Sequence, residues 1–154
     1  MGMRNSPLTI MSIAVSHNRI AFVFLIDRQP MDWEMSFVAA ASPKSAASKV
    51  AQWIKHYGVD VVITEDTRIS TRKGRRTQSL LEAVCAAVQV TDTQHIEVVR
   101  SQPFQSKYEQ IDDLITRYPQ MKAVAPRKRK YWENEPHSVT IFEALAMAEQ
   151  VTCT

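Results

Sequence analysis

Glycine and cysteine are both scarce in this chain of 154 residues, which has three of the first and two of the second, Cys85 and Cys153. Three glycines almost exclude the Gly-rich turns of a dinucleotide fingerprint, and neither a phosphate-binding loop nor a Gly-x-Ser-x-Gly nucleophile elbow is found. Two cysteines make no disulfide framework, and no Cys or His pair stands at zinc-binding spacing, so a reducing cytoplasm is the expected setting. Cys85, among Ala83, Val84, Ala86, Ala87 and Val88, reads as a small core residue. Long apolar runs are absent too. The longest covers residues 20–26, against the ~20 residues of a membrane span, and no charged-apolar-small export signal precedes it, so neither spanning nor export is expected. No period of 20 to 50 residues recurs, which argues against a solenoid or propeller. Ser16 and His17 are adjacent and point apart, which is poor geometry for a nucleophile and its base.

What the chain does have is 45% hydrophobic and 23% charged residues, the composition of one packed globular domain. Lys and Arg number 19 against 16 Asp and Glu, a net charge of +3, and the cations cluster. Arg68, Arg72, Lys73, Arg75 and Arg76 fall within nine residues, and Arg127, Lys128, Arg129 and Lys130 are consecutive. Such runs are either solvated faces or phosphate-binding loops. Tyr131 and Trp132, next to the second run, suit either stacking on an exposed base or anchoring the loop on the core.

The apolar pattern predicts three antiparallel strands first. Residues 8–15 and 20–26 are β-rich and flank a turn at His17-Asn18-Arg19. After a turn at residues 27–30, residues 33–39 supply the third strand, with Trp33, Met35 and Phe37 on one face. Ser42-Pro43 starts a helix as N-cap and first helical residue, Ala47, Val50, Ala51, Ile54 and Tyr57 form its stripe, and Gly58 stops it. Residues 59–64 read as a strand buried on both faces. Thr77, Leu81, Val84 and Val88 mark a second helix, residues 96–99 a further strand, and Tyr108, Ile111, Leu114, Ile115 and Tyr118 a third helix ended by Pro119. A last helix covers residues 138–151. Alternation of this kind predicts an α/β fold, a mixed sheet with helices on both faces.

Two places invite chemistry. Glu65-Asp66 ends the central strand, where α/β sheets usually seat ligands; Asp66 suits a turn cap equally well. Glu143 lies in a final helix that is apolar nearly all round, sharing a face with Val139, Ala146 and Met147. A carboxylate buried there costs several kcal/mol unless it is paired, protonated or metal-bound, or reaches solvent at the sheet edge.

The order and place of these features resemble the RuvC-like nucleases, the Holliday junction resolvases of the ribonuclease H-like superfamily. The first hairpin, the run Val62-Ile63-Thr64-Glu65 and the terminal Phe142-Glu143-Ala144-Leu145-Ala146-Met147-Ala148 are similar to that family's three catalytic stations. The resemblance implies a ribonuclease H-like fold over residues 8–151 as a single domain after a flexible N-terminus at residues 1–7. It also implies two magnesium (or manganese) ions held by four carboxylates, or by three and a histidine, which cleave phosphodiesters of branched DNA during recombination. Glu65 and Glu143 fall on two of the ligand positions and would be the catalytic residues. Ser16 falls on the first-strand aspartate and Thr140 on the ligand one turn before the last carboxylate, so two positions have lost their charge. His137 and Asp66 are candidate substitutes, although His137 sits about 120° from Glu143 on an ideal helix and a strand turns Asp66 away from Glu65. Both basic clusters would lie on the DNA-facing rim, and relatives usually act as dimers. The expected function is therefore a metal-dependent endonuclease acting on junction DNA. The alternatives are a DNA- or RNA-binding module that has lost catalysis, and a generic α/β interaction protein.

Overall fold

The computed structural model describes residues 7–68, 74–99, 107–126 and 138–152. Strand β1, Thr9–Ser16, pairs antiparallel with β2, Arg19–Ile26, in unbroken register from Thr9↔Ile26 to Ser16↔Arg19. Asn18 takes the left-handed conformation in the two-residue turn, as short polar side chains tolerate. A second hairpin follows at once. Asp27 and Arg28 both have positive φ, the twist a two-residue turn needs to match its strands, and β3 begins at Gln29 and ends at Ser36.

This strand starts earlier than the sequence suggests, because Pro30 reads as part of a turn. β3 is an edge strand, where a missing N–H is tolerated, and a register shift lets Leu25 face Pro30 while Phe24 faces Asp32. It also ends earlier, so Trp33 and Met35 pack on the core while Phe37, beyond the strand, is exposed.

Helix α1, Pro43–Tyr57, is bounded as its sequence predicts. The Ser42 hydroxyl accepts the Ser45 N–H at 3.0 Å, and Gly58, at φ 63°, donates its N–H to the Ile54 carbonyl. The chain then alternates: β4, Val61–Glu65; α2, Arg75–Gln89; β5, Gln94–Val98; α3, Lys107–Arg117; and α4, Val139–Thr152. β4 and β5 run parallel to β1, and the sheet order is β3-β2-β1-β4-β5.

Strand alternation divides the core in two. Met11, Ile13, Val15, Phe22 and Val62 face α1 and α2, whereas Ile10, Ala14, Val23, Val61 and Ile63 face α3 and α4. Each fully buried large side chain, such as Phe22 or Ile63, contributes about 1.5–3 kcal/mol. The α/β expectation of a mixed sheet with helices on both faces therefore holds. Among the described residues no helix is long and apolar enough to cross a membrane.

Candidate functional site

The carboxyl ends of β1 and β4 lie side by side, because the parallel register runs from Ile10↔Val61 to Ser12↔Ile63. Glu65 is two residues beyond Ile63 and so shares its face, the one covered by α4. The helix brings its own residues there. Thr140 Oγ1 meets Ser16 Oγ at 2.8 Å, and the Ser12 hydroxyl donates to the Ala144 carbonyl at 2.6 Å. These two contacts fix α4 across β1, and Glu143, one turn from Thr140 and beside Ala144, projects to the same side. Glu65 and Glu143 are only 8% and 5% exposed. Ser16 and Thr140 thus meet directly, and two buried glutamates come from β4 and α4 to the same face of the sheet.

The electrostatics of this corner are divided. Ser16 and Thr140 satisfy one another with neutral hydroxyls, and the Arg19 guanidinium donates from Nε to Ser16 Oγ at 3.3 Å. Arg19 is a residue that sequence reasoning missed. The available signal was hairpin register, since Ser16 and Arg19 close the first turn and pair directly. Carboxylates at positions 16 and 140, so close together, would repel strongly without cations between them; the hydroxyls need none.

Among the described residues the donor set accordingly suits one hard divalent ion rather than two. Magnesium is commonly held by one or two carboxylates, with waters and substrate phosphates completing its shell, and Glu65 and Glu143 supply that much. A second ion would have to displace a satisfied hydroxyl pair next to a guanidinium.

Asp66 does not join this group. It lies on the opposite sheet face, and its carboxylate accepts the Arg68 backbone N–H at 2.8 Å, Nε at 3.2 Å and Nη2 at 3.0 Å. This hydrogen-bonded fork holds the Asp66 carboxyl below its usual range and raises Arg68 in turn. Arg68 remains 79% exposed as a side chain, so its charge still faces solvent. Arg75 is exposed at the start of α2. Arg76 serves the fold instead, since its Nε donates to Asn18 at 3.2 Å and its Nη2 to the carbonyls of Ala40 and Ala41, each at 3.1 Å. It ties α2 to the first hairpin turn. Arg72, Lys73, Arg127, Lys128, Arg129, Lys130 and His137 lie outside the described residues, as do Tyr131 and Trp132.

On that opposite face the residues form a second constellation. Thr64 Oγ1 lies 2.8 Å from His95 Nε2 and 3.4 Å from Cys85 Sγ, and Glu97 stands two residues along β5 from His95. Burial pushes the Cys85 thiol up to about 11 and lowers His95 below its ordinary value. The sequence hides this grouping, because Cys85 sits in an apolar run and the His95-x-Glu97 pair comes from another element.

With the geometry in hand, comparison with known proteins identifies the architecture. No protein-family model and no curated protein matches the sequence. Solved structures do match. Thermus thermophilus RuvC in complex with a Holliday junction substrate is 11% identical, with a TM-score of 0.61 over 92% of this chain and 90% of that one. The Fowlpox virus resolvase in complex with Holliday junction DNA is 17% identical, with a TM-score of 0.60 over 93% of this chain and 95% of that one. RuvC of T. thermophilus in a further structure gives 11% and 0.59, over 92% and 91%. The chain has the ribonuclease H-like fold of these resolvases.

Proposed function

We propose that this chain is a RuvC-like protein that acts on branched DNA, and that Glu65 and Glu143 form its catalytic centre. The observation that carries the reading is the pair of buried glutamates brought to one sheet face by a scaffold that matches, along nine-tenths of its length, proteins solved with Holliday junctions. Magnesium or manganese bound by the two carboxylates would polarise a phosphodiester oxygen and lower the pKa of an attacking water. Arg19, held at Ser16, would face the same phosphate, and the exposed Arg68 and Arg75, with Arg72, Lys73 and residues 127–130, would hold the flanking backbone. A homodimer, working in the cytoplasm, would set two such centres across a junction.

A second reading, recognition of branched DNA without cleavage, is favoured by one observation: Ser16 and Thr140 bond to each other where the resemblance calls for two metal ligands. One experiment separates the two. Labelled four-way junction and duplex DNA are incubated with Mg²⁺ or Mn²⁺, beside a gel shift in EDTA, for wild type, Glu65→Gln and Glu143→Gln. Metal-dependent cutting lost by at least a hundredfold in both variants, with binding retained, is the expected result. Junction binding without cutting, unchanged by the substitutions, establishes the second reading. No binding in any lane overturns both.

A further inference from the structure

A cluster of side chains with metal-ligating donor atoms lies on the other side of the sheet from the glutamate pair. Cys85 from α2 and His95 and Glu97 from β5 bring a thiol sulfur, a ring nitrogen and a carboxylate oxygen within 4.8 Å of one another. Cys85 is buried and the other two are half-buried. Among the described residues this is the one group of three or more such side chains that converges to this degree.

We propose that Cys85, His95 and Glu97 bind a zinc ion. The first argument is geometric. Zinc takes sulfur at about 2.3 Å, nitrogen at about 2.0–2.1 Å and carboxylate oxygen at about 2.0–2.2 Å in a tetrahedral shell, which leaves donor atoms some 3.3–3.7 Å apart. From 4.8 Å the three close on an ion by side-chain rotation of about 1 Å, with no change in strand register. The second argument is chemical. A thiolate and an imidazole select zinc or a comparable transition metal over magnesium, whereas the glutamate pair offers oxygen alone. One thiolate and one carboxylate also neutralise a divalent ion, so the half-buried site carries no net charge.

The third argument concerns the neighbours. Thr64 bridges Cys85 and His95 through its hydroxyl and is thus placed to orient the ring of a metal-bound histidine. Arg68, whose guanidinium is drawn by Glu97, is fastened to Asp66 by three hydrogen bonds and so competes only partly for that carboxylate. The ion would join the edge strand β5 to α2 behind β4, the strand that ends in Glu65.

The test is a cobalt titration of chelator-treated protein under reducing conditions, followed by zinc competition. One equivalent of Co²⁺ should give a thiolate-to-cobalt charge-transfer band with d–d bands of tetrahedral intensity, displaced by zinc and indifferent to excess Mg²⁺. Cys85→Ala should abolish the charge-transfer band, and His95→Gln and Glu97→Gln should weaken binding at least tenfold. Cys153→Ser should leave the charge-transfer band unchanged. Circular dichroism monitors folding, and Glu97→Gln, which leaves the buried thiol in place, carries the test if Cys85→Ala does not fold. Absence of the charge-transfer band in the wild type overturns the proposal. So does its loss in Cys153→Ser, or binding by Glu97→Gln equal to the wild type.

Discussion

The contact between Ser16 and Thr140 is small, yet on the proposed reading it would limit how much metal the glutamate pair can hold. Two hydroxyls 2.8 Å apart satisfy each other, whereas two carboxylates in the same buried corner would each cost several kcal/mol until cations arrived. The double substitution Ser16→Asp with Thr140→Asp should therefore destabilise the metal-free protein, by roughly 3–5 kcal/mol if the new charges remain unpaired. Saturating Mn²⁺ should restore much of that loss by binding the folded state alone. Thermal unfolding with and without Mn²⁺ measures it, and an equal Mn²⁺ response in wild type and variant would show that the hydroxyls at positions 16 and 140 are not what limits metal binding. Tyr57 adds a dependence of its own at alkaline pH. Burial, then the hydrogen bond to Asp32, pushes the Tyr57 hydroxyl up to about 12. A folded-state pKa raised above the unfolded value of about 10 means the neutral phenol is favoured in the native protein. Its contribution is whole below pH 10 and is lost as pH rises through about 12. Ultraviolet titration should show one tyrosine ionising late, and Asp32→Asn should bring it down.

At the level of elements the sequence was legible wherever local chemistry sets boundaries. The cap at Ser42, the stop at Gly58 and the apolar run that reads as a strand buried on both faces over residues 59–64 are each written in a few neighbouring residues, and the structure keeps the cap and the stop and places the buried strand at Val61–Glu65. Gly58 at φ 63° is a position where a side chain is strained although space is open around it. Gly58→Ala should accordingly cost about 1 kcal/mol, and Ser42→Ala about 0.5–2 kcal/mol through the lost cap, both readable as shifts of the urea midpoint with an unchanged slope. What the sequence concealed depended on tertiary placement. Pro30 argues for a turn until one knows that its strand is an edge, and Phe37 continues an alternation that ends when the strand does. The glutamates were legible because each ends or interrupts an apolar element. Arg19 was not, since only the register of a hairpin sets it against Ser16, and neither was the Cys85, His95 and Glu97 grouping, assembled from two elements with ordinary surroundings in the sequence.

For the whole molecule the question is where the positive charge goes. Nine of the 19 cations fall in two runs, one leading into the first turn of α2 and one ahead of α4, and the first run begins two residues beyond Asp66, past the end of the strand that carries Glu65. Among the described residues of that first run, Arg68, Arg75 and Arg76 are all exposed, and Arg76 also clasps the hairpin turn and the 3-10 turn at Ala39–Ala41. A molecule whose net charge is only +3 has no strong general field with which to gather DNA, so on the proposed reading affinity would come from local contacts between these clusters and phosphates. If six to eight cations meet the backbone, counterion release gives a slope of roughly −5 to −7 for log K against log salt on duplex arms. Fluorescence anisotropy of a labelled four-way junction across a salt series measures it. Neutralising Arg72 and Lys73 together should flatten the slope by about 2, because each phosphate that no longer meets a cation keeps about one counterion. A wild-type slope near zero would mean that the basic runs are solvated faces, and the branched-DNA reading would fall with them.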